Sequence, residues 1–189
     1  MHIFCISVYI KSDDHSSAKL FCSVKDLKGV GLFQKSNVIE FIDFFGKTII
    51  DRISHVKKEC IIEKDYKCHA FISDKNIGCV VITDEKYPSV TSFRLINLIL
   101  SNFSDNKIET EIMFKNLLEK YQKPENIDPI KNLNNELDST KQILYKNLES
   151  LLKRGEQLDD LIEKSRELST SSKIFYIKTK KMNSCCMIL

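Results

Sequence analysis

The strongest constraint on this chain begins after Pro129. From there to residue 189 no proline occurs, and Gly155 is the sole glycine. A stretch that long without helix breakers predicts one continuous helix over 130–182, about 53 residues or roughly 80 Å at 1.5 Å per residue. Taking Arg154 as origin and stepping by alternating threes and fours gives a ladder. On one side it runs Leu151, Asn147, Leu144, Thr140, Leu137, Leu133 and Ile130. On the other it runs Leu158, Leu161, Ser165, Leu168, Ser172, Phe175, Thr179 and Met182. A sustained 3.5-residue apolar period predicts a coiled coil rather than an ordinary surface helix. The polar members carry the information. Arginine between Leu151 and Leu158 leaves a buried cation unless partners supply acceptors. Thr140, Asn147, Ser165, Ser172 and Thr179 weaken self-association further, so the helix needs particular partners. The plainer reading is a generic dimerisation coiled coil with Arg154 facing solvent. A phosphate on Ser165 or Ser172 would place close to two negative charges where assembly removes water.

The rest of the 189 residues leaves room for one compact domain. Residues 2–11 and 17–26 read as a hairpin around Asp13-Asp14-His15-Ser16. Glu59–Lys64, Tyr66–Ser73 and Ile77–Thr83 are further strands, with a turn at Asp74-Lys75-Asn76. A helix is expected from Asn37 to Arg52, with Asn37 and Glu40 as a capping box. Two more helices follow at Ser89–Phe103 and Ile108–Tyr121. The fold class is α+β, a five-stranded antiparallel sheet with helices on both faces. The expected divisions are a domain at 1–122, a linker at 123–129 held between Pro124 and Pro129, the heptad segment at 130–182 and a tail at 183–189. On a helical wheel Val38, Ile42, Phe45, Ile49 and Ile53 form the inward stripe of the first helix. Phe44 points instead among Glu40, Asp43, Lys47 and Asp51, flanked by Phe41; an aromatic on a polar face marks a contact surface.

Several classes are excluded. The net charge of +3 gives no nucleic-acid footprint. Seven cysteines without paired metal-ligand spacing predict neither a disulfide framework nor a metal centre. The N-terminal run reads as a strand rather than a signal peptide. No apolar run reaches the 18 or so residues of a membrane helix, so a cytosolic location is expected. Gly46-Lys47-Thr48 imitates the end of a phosphate loop, but the required earlier glycine is Phe41 and the triplet falls inside a helix. Asp65, Cys68 and His69 are neighbours only in sequence. No enzyme and no cofactor are expected.

The chain ends Asn183-Ser184-Cys185-Cys186-Met187-Ile188-Leu189. A cysteine fourth from the end followed by aliphatic-type residues is a prenylation signal on Cys186, with terminal leucine favouring geranylgeranyl. One lipid binds a membrane only marginally, and Cys185 offers the second site, for palmitoyl or another prenyl group. Lys173, Lys178, Lys180 and Lys181 add attraction to anionic lipid.

Leu151-Leu152-Lys153-Arg154-Gly155-Glu156-Gln157-Leu158-Asp159-Asp160-Leu161, followed by Lys164-Ser165, resembles the centre of the R-SNAREs, the synaptobrevin-type fusion proteins. With the tail, and with Phe33-Gln34-Lys35-Ser36, Asp65-Tyr66-Lys67-Cys68-His69, Val80-Val81-Ile82 and Tyr87-Pro88-Ser89, the whole chain is similar to the prenylated longin-domain branch of that family. The resemblance implies a profilin-like longin domain followed by a long SNARE helix. In a four-helix bundle, Arg154 would form the central layer with glutamines from three partner helices, whose amide oxygens suit a planar guanidinium. It also implies reversible anchoring through covalent prenyl and acyl lipids. Transport among Golgi, endosomes and vacuole follows, as does a longin groove, here Phe41 and Phe44, that folds back on the SNARE segment. The competing reading is a lipid-anchored trafficking adaptor without a fusogenic role.

Overall fold

The structure, a computed structural model, describes residues 1–11, 17–53, 57–127 and 143–185. Expectations for Ile130, Leu133, Leu137, Thr140 and Cys186, and for the side chains of Met182 and Cys185, fall outside the described residues. The chain divides into two compact units: Met1–Asp26 with Gly46–Leu151, and Leu27–Phe45 with Leu152–Leu189.

The first unit is built on a sheet. Alternation of apolar side chains produces β1 (Ile3–Ile10), β2 (Lys19–Lys25), β3 (Lys58–Glu63), β4 (Tyr66–Ile72) and β5 (Ile77–Asp84). These pair antiparallel in the order β2-β1-β5-β4-β3. A sixth strand, β6 (Ile143–Asn147), adds to the β3 edge in parallel, from Lys58 opposite Ile143 to Ile62 opposite Asn147. The expected five antiparallel strands are present, and the added strand makes the whole sheet six-stranded and mixed. Its extra strand comes from the heptad segment, which periodicity reads as helix.

One sheet face carries α2 (Ser89–Ser101) and α3 (Lys107–Tyr121), closing a core that includes Ile6, Val8, Val81, Phe93, Ile96 and Phe114. Asn106 caps α3 by accepting from the amides of Ile108 and Glu109. Gln122 fixes the far end, its side chain bonding the Ile3 amide at 3.0 Å and the Ile3 carbonyl at 2.8 Å. The other face meets the second half of α1 (Lys35–Arg52) through Ile49 and Ile50, packed over Tyr9, Ala70, Ile72 and Val80. Gly46 is required there: a Cβ would lie 2.2 Å from the Tyr9 hydroxyl. That close approach accounts for the glycine of the Gly46-Lys47-Thr48 triplet, which lies inside α1.

Two local expectations change. Helix α1 starts at Lys35, two residues before Asn37, so Asn37 and Glu40 lie within its first turns and make no capping box. The expected inward stripe also splits: Ile49 and Ile53 enter the sheet core, whereas Phe45 joins a cluster in the second unit.

Candidate functional site

The residues that Arg154 organises in the sequence do not form one helix here. The segment runs through β6, a 3-10 turn (Leu148–Leu151), α4 (Leu158–Lys164) and α5 (Thr170–Cys185). A lone heptad ridge has no partner to cover it, and a helix gains most of its stability by packing an apolar face. In this fold the segment buries its side chains piecemeal instead.

Within the first unit, β6 uses both faces of the sheet. Ile143 packs into the core beneath α2 and α3. Lys146, on the opposite face, bonds Glu59 Oε2 at 2.8 Å, and Glu59 is fully buried. Among the described residues, Glu59 Oε1 accepts no hydrogen bond. Leu148 and Leu151 then pack over Ile61 and its neighbours, and the Arg52 guanidinium donates to the Leu151 carbonyl at 3.0 Å. Heptad periodicity selects Leu144 and Leu151, yet Leu144 is 43% exposed while the off-register Ile143 is buried. A two-residue period replaces the seven-residue one, and that exchange moves the anchor by one position.

Arg154 lies exposed in the turn that follows. Its neighbour Gly155 has φ +81°, a left-handed conformation strained for any residue with a Cβ. Glycine, costly in a long helix, is what this turn requires.

The second unit gathers the rest. Phe44, only 6% exposed, packs with Ile162 and Leu168, and Phe41, Phe45, Leu158, Leu161 and Tyr176 surround them. Phe41 stacks on Phe45 and tilts against Tyr176, with ring centroids 5.9 Å apart in each case. The polar side chains near the start of α1 act on α5. Glu40 Oε2 accepts from the Ser169 amide at 2.8 Å and lies 2.7 Å from Ser172 Oγ. Asn37 Oδ1 accepts from Ser171 Oγ at 3.1 Å and lies 3.2 Å from Ser172 Oγ. These bonds hold the Glu40 carboxyl below its ordinary range, the Ser169 amide first and Ser172 next. A carboxylate at the α5 N-terminus also suits the helix dipole.

The start of α4 and the end of α5 are held by ion pairing and hydroxyl contacts. Asp159 pairs with Lys180 and accepts from the Tyr176 hydroxyl at 2.9 Å. Lys173 donates to the Glu163 and Ser165 carbonyls at 2.7 Å each, satisfying the exposed end of α4. Between these helices lies a cleft of about 530 Å³ lined by Asp159, Ile162, Glu163, Lys173, Tyr176, Ile177 and Lys180. Ser165 and Thr179 are half-buried, Ser172 is buried and Phe175 is half-buried. No described helix is long and apolar enough to cross a membrane.

The remaining sequence cluster does not assemble. Cys68 packs toward the α1 face, whereas His69 meets Phe93 on the α2 side. Burial drives the His69 imidazole down to about 4, so it stays neutral between Val81 and Ser89.

Sequence reasoning missed Ile143, Ile162, the Glu59–Lys146 pair and the outward roles of Asn37 and Glu40. Ile143 and Ile162 each sit beside a heptad leucine, so a one-position ambiguity was the available signal. Nothing local marks Glu59, because its partner lies far along the chain.

Comparison with known proteins identifies both parts of this arrangement. A regulated-SNARE-like (longin) domain family matches residues 27–127, and the synaptobrevin family matches 129–188. A synaptobrevin homolog ykt6 from Schizosaccharomyces pombe is 37% identical over 192 residues, covering 96% of this chain and 98% of the relative. Synaptobrevin homologs YKT6 from Eremothecium gossypii and Saccharomyces cerevisiae are 35% and 36% identical, covering 97% and 100% of this chain and 98% and 100% of the relatives. With longin and synaptobrevin regions in that order and an arginine at the centre of the heptads, the chain belongs to the longin-domain R-SNAREs of vesicle trafficking.

Proposed function

We propose that this chain contributes one helix, with Arg154 at its centre, to a four-helix bundle whose other three helices carry glutamines and come from partner proteins. Zippering of that bundle between two membranes drives their fusion. The supporting observation is Arg154 itself. It is exposed in a turn, and of the leucines that flank it in the heptad ladder Leu151 is buried and Leu158 half-buried against other parts of the chain. A guanidinium so placed adds little to the present fold, which leaves the coiled-coil state as the reason for its position in an apolar ladder.

In this reading residues 1–122 regulate and 130–182 fuse, with 123–129 between them. Phe41 and Phe44 form the autoinhibitory contact, because bundle assembly needs Leu158, Leu161 and Leu168, which pack around them. Cys186 carries the prenyl group and Cys185 the second lipid, holding the chain reversibly on the cytosolic face of Golgi, endosomal or vacuolar membranes. The protein acts by assembly rather than catalysis.

The test is mixing with glutamine-SNARE helices, which should give an SDS-resistant, cooperatively melting complex. Arg154→Ala should leave the free chain's fold unchanged yet weaken the complex by about 1–3 kcal/mol, since three amides lose their donor. Unaltered helix alignment, melting and vesicle merger would overturn the proposal. Complete failure to assemble favours the adaptor reading. Mass spectrometry of the C-terminal peptide assigns the lipids.

A further inference from the structure

We propose that the β3 edge, once residues 143–151 leave it, is a docking site for an extended segment of a partner protein bearing an arginine three residues after an aliphatic side chain. The inference rests on the proposed function only in requiring that β6 can leave the sheet.

Three observations in the first unit define the occupant. The edge is a strand template: β6 pairs with it in parallel from Lys58 opposite Ile143 to Ile62 opposite Asn147, and nothing about main-chain pairing requires that the added strand come from the same chain. The side-chain requirements are set on both faces. Ile143 fills the core beneath α2 and α3, while three residues later Lys146 reaches Glu59 on the other face. Glu59, fully buried, offers two carboxylate oxygens, and Lys146 engages Oε2 at 2.8 Å; among the described residues Oε1 has no hydrogen-bond partner. A buried carboxylate half satisfied is a site its own chain fills imperfectly. Arginine presents paired N–H donors in a planar fork that matches both oxygens, where an ammonium is a single point charge. A lysine in β6 thus keeps the intramolecular strand replaceable, and an incoming arginine takes what it leaves.

The edge also rejects unsuitable segments. An acidic or neutral residue at the position of Lys146, opposite Ile61, would leave the Glu59 charge desolvated and unpaired, at a cost the strand hydrogen bonds do not recover. Arg52, which donates to the Leu151 carbonyl, gives the occupant a further main-chain anchor beyond the strand.

The experiment uses the full chain carrying Ile143→Asp and Lys146→Glu, which should expel β6. The probe is a fluorescent peptide of residues 141–151, in native form and with Lys146→Arg or Lys146→Glu. Amide exchange over 58–63 should rise in the variant and fall again when peptide is added. The arginine peptide should bind about tenfold tighter than the native one, and the glutamate peptide should not bind. Adding Glu59→Gln to the protein should abolish the arginine preference while leaving weak strand pairing. Equal binding of the three peptides, or an exposed edge that gains no protection from any of them, overturns the proposal. Unchanged exchange in the variant overturns it too, since β6 would then hold without the ion pair. Dimers of the native chain that disappear with Lys146→Glu would show that a second copy, rather than a partner protein, is the occupant, and would also overturn it. Bundle assembly with glutamine-SNARE helices is measured separately, so failure here leaves that reading intact.

Discussion

The two halves of the heptad segment are held by different physics. Residues 143–151 are held by a strand ladder, two buried aliphatic anchors and one half-buried ion pair. Residues 158–180 are held by an aromatic cluster centred on Phe44 and by hydrogen bonds, exposed or half-buried, that Asn37 and Glu40 accept. Strand pairing is cooperative and depends on register, whereas the aromatic contact is non-directional and its polar rim is partly exposed. The C-terminal half should therefore release first, exposing Leu158, Leu161 and Leu168 while β6 stays in place.

Phe44→Glu breaks that comparison most severely. It removes a buried ring and puts a charge in its place, which should cost the α4–α5 contact about 3–5 kcal/mol or more. Amide exchange should rise across 158–180 and remain protected across 143–147, and the membrane-bound fraction in eukaryotic cells should increase. Loss of protection in both halves together would show that they release as one.

Gly155→Ala acts on the joint between the halves. The left-handed turn is penalised by about 1 kcal/mol or more, and the continuous helix gains about 1 kcal/mol. Assembly with glutamine-SNARE helices should accelerate roughly tenfold, read by the rate of complex formation. An unchanged rate would place the turn outside the opening step.

Ser172→Glu sharpens the contrast at the polar rim. A second carboxylate beside Glu40 repels it, while Ser172→Ala only deletes hydrogen bonds worth about 1 kcal/mol. Exchange at 169–173 should increase in the order native, alanine, glutamate, with no change at 143–147. The smallest effect is that of acid. The folded Glu40 carboxyl is held below its ordinary value, so its contribution is present above the unfolded value and disappears as pH falls through the folded one. Acidification to below the ordinary glutamate range should loosen the start of α5, and Glu40→Gln should remove that pH dependence. Because the group is solvent-screened, the shift in melting should be small.

Much of the molecule was legible in local patterns. Alternation located β1 to β5, and turn chemistry placed their connections; Asn76, expected in a turn, has φ +60°. Phe44 stood out because an aromatic among charges needs covering. The heptads and Arg154 named the family. These signals work because each depends on residues a few positions apart.

The tertiary structure alone decided how the heptad segment is used. Its sequence satisfies two periodicities at once: leucines every three or four residues for a helix, and Ile143 and Lys146 on opposite faces for a strand. Which one is realised depends on what covers the apolar side chains, and that is set by β3 and α1, about a hundred residues away. Local propensity differs by only about 1 kcal/mol per residue between such states, while burying one aliphatic side chain gains about 1.5–3 kcal/mol. Long-range burial therefore overrides the helical pattern here.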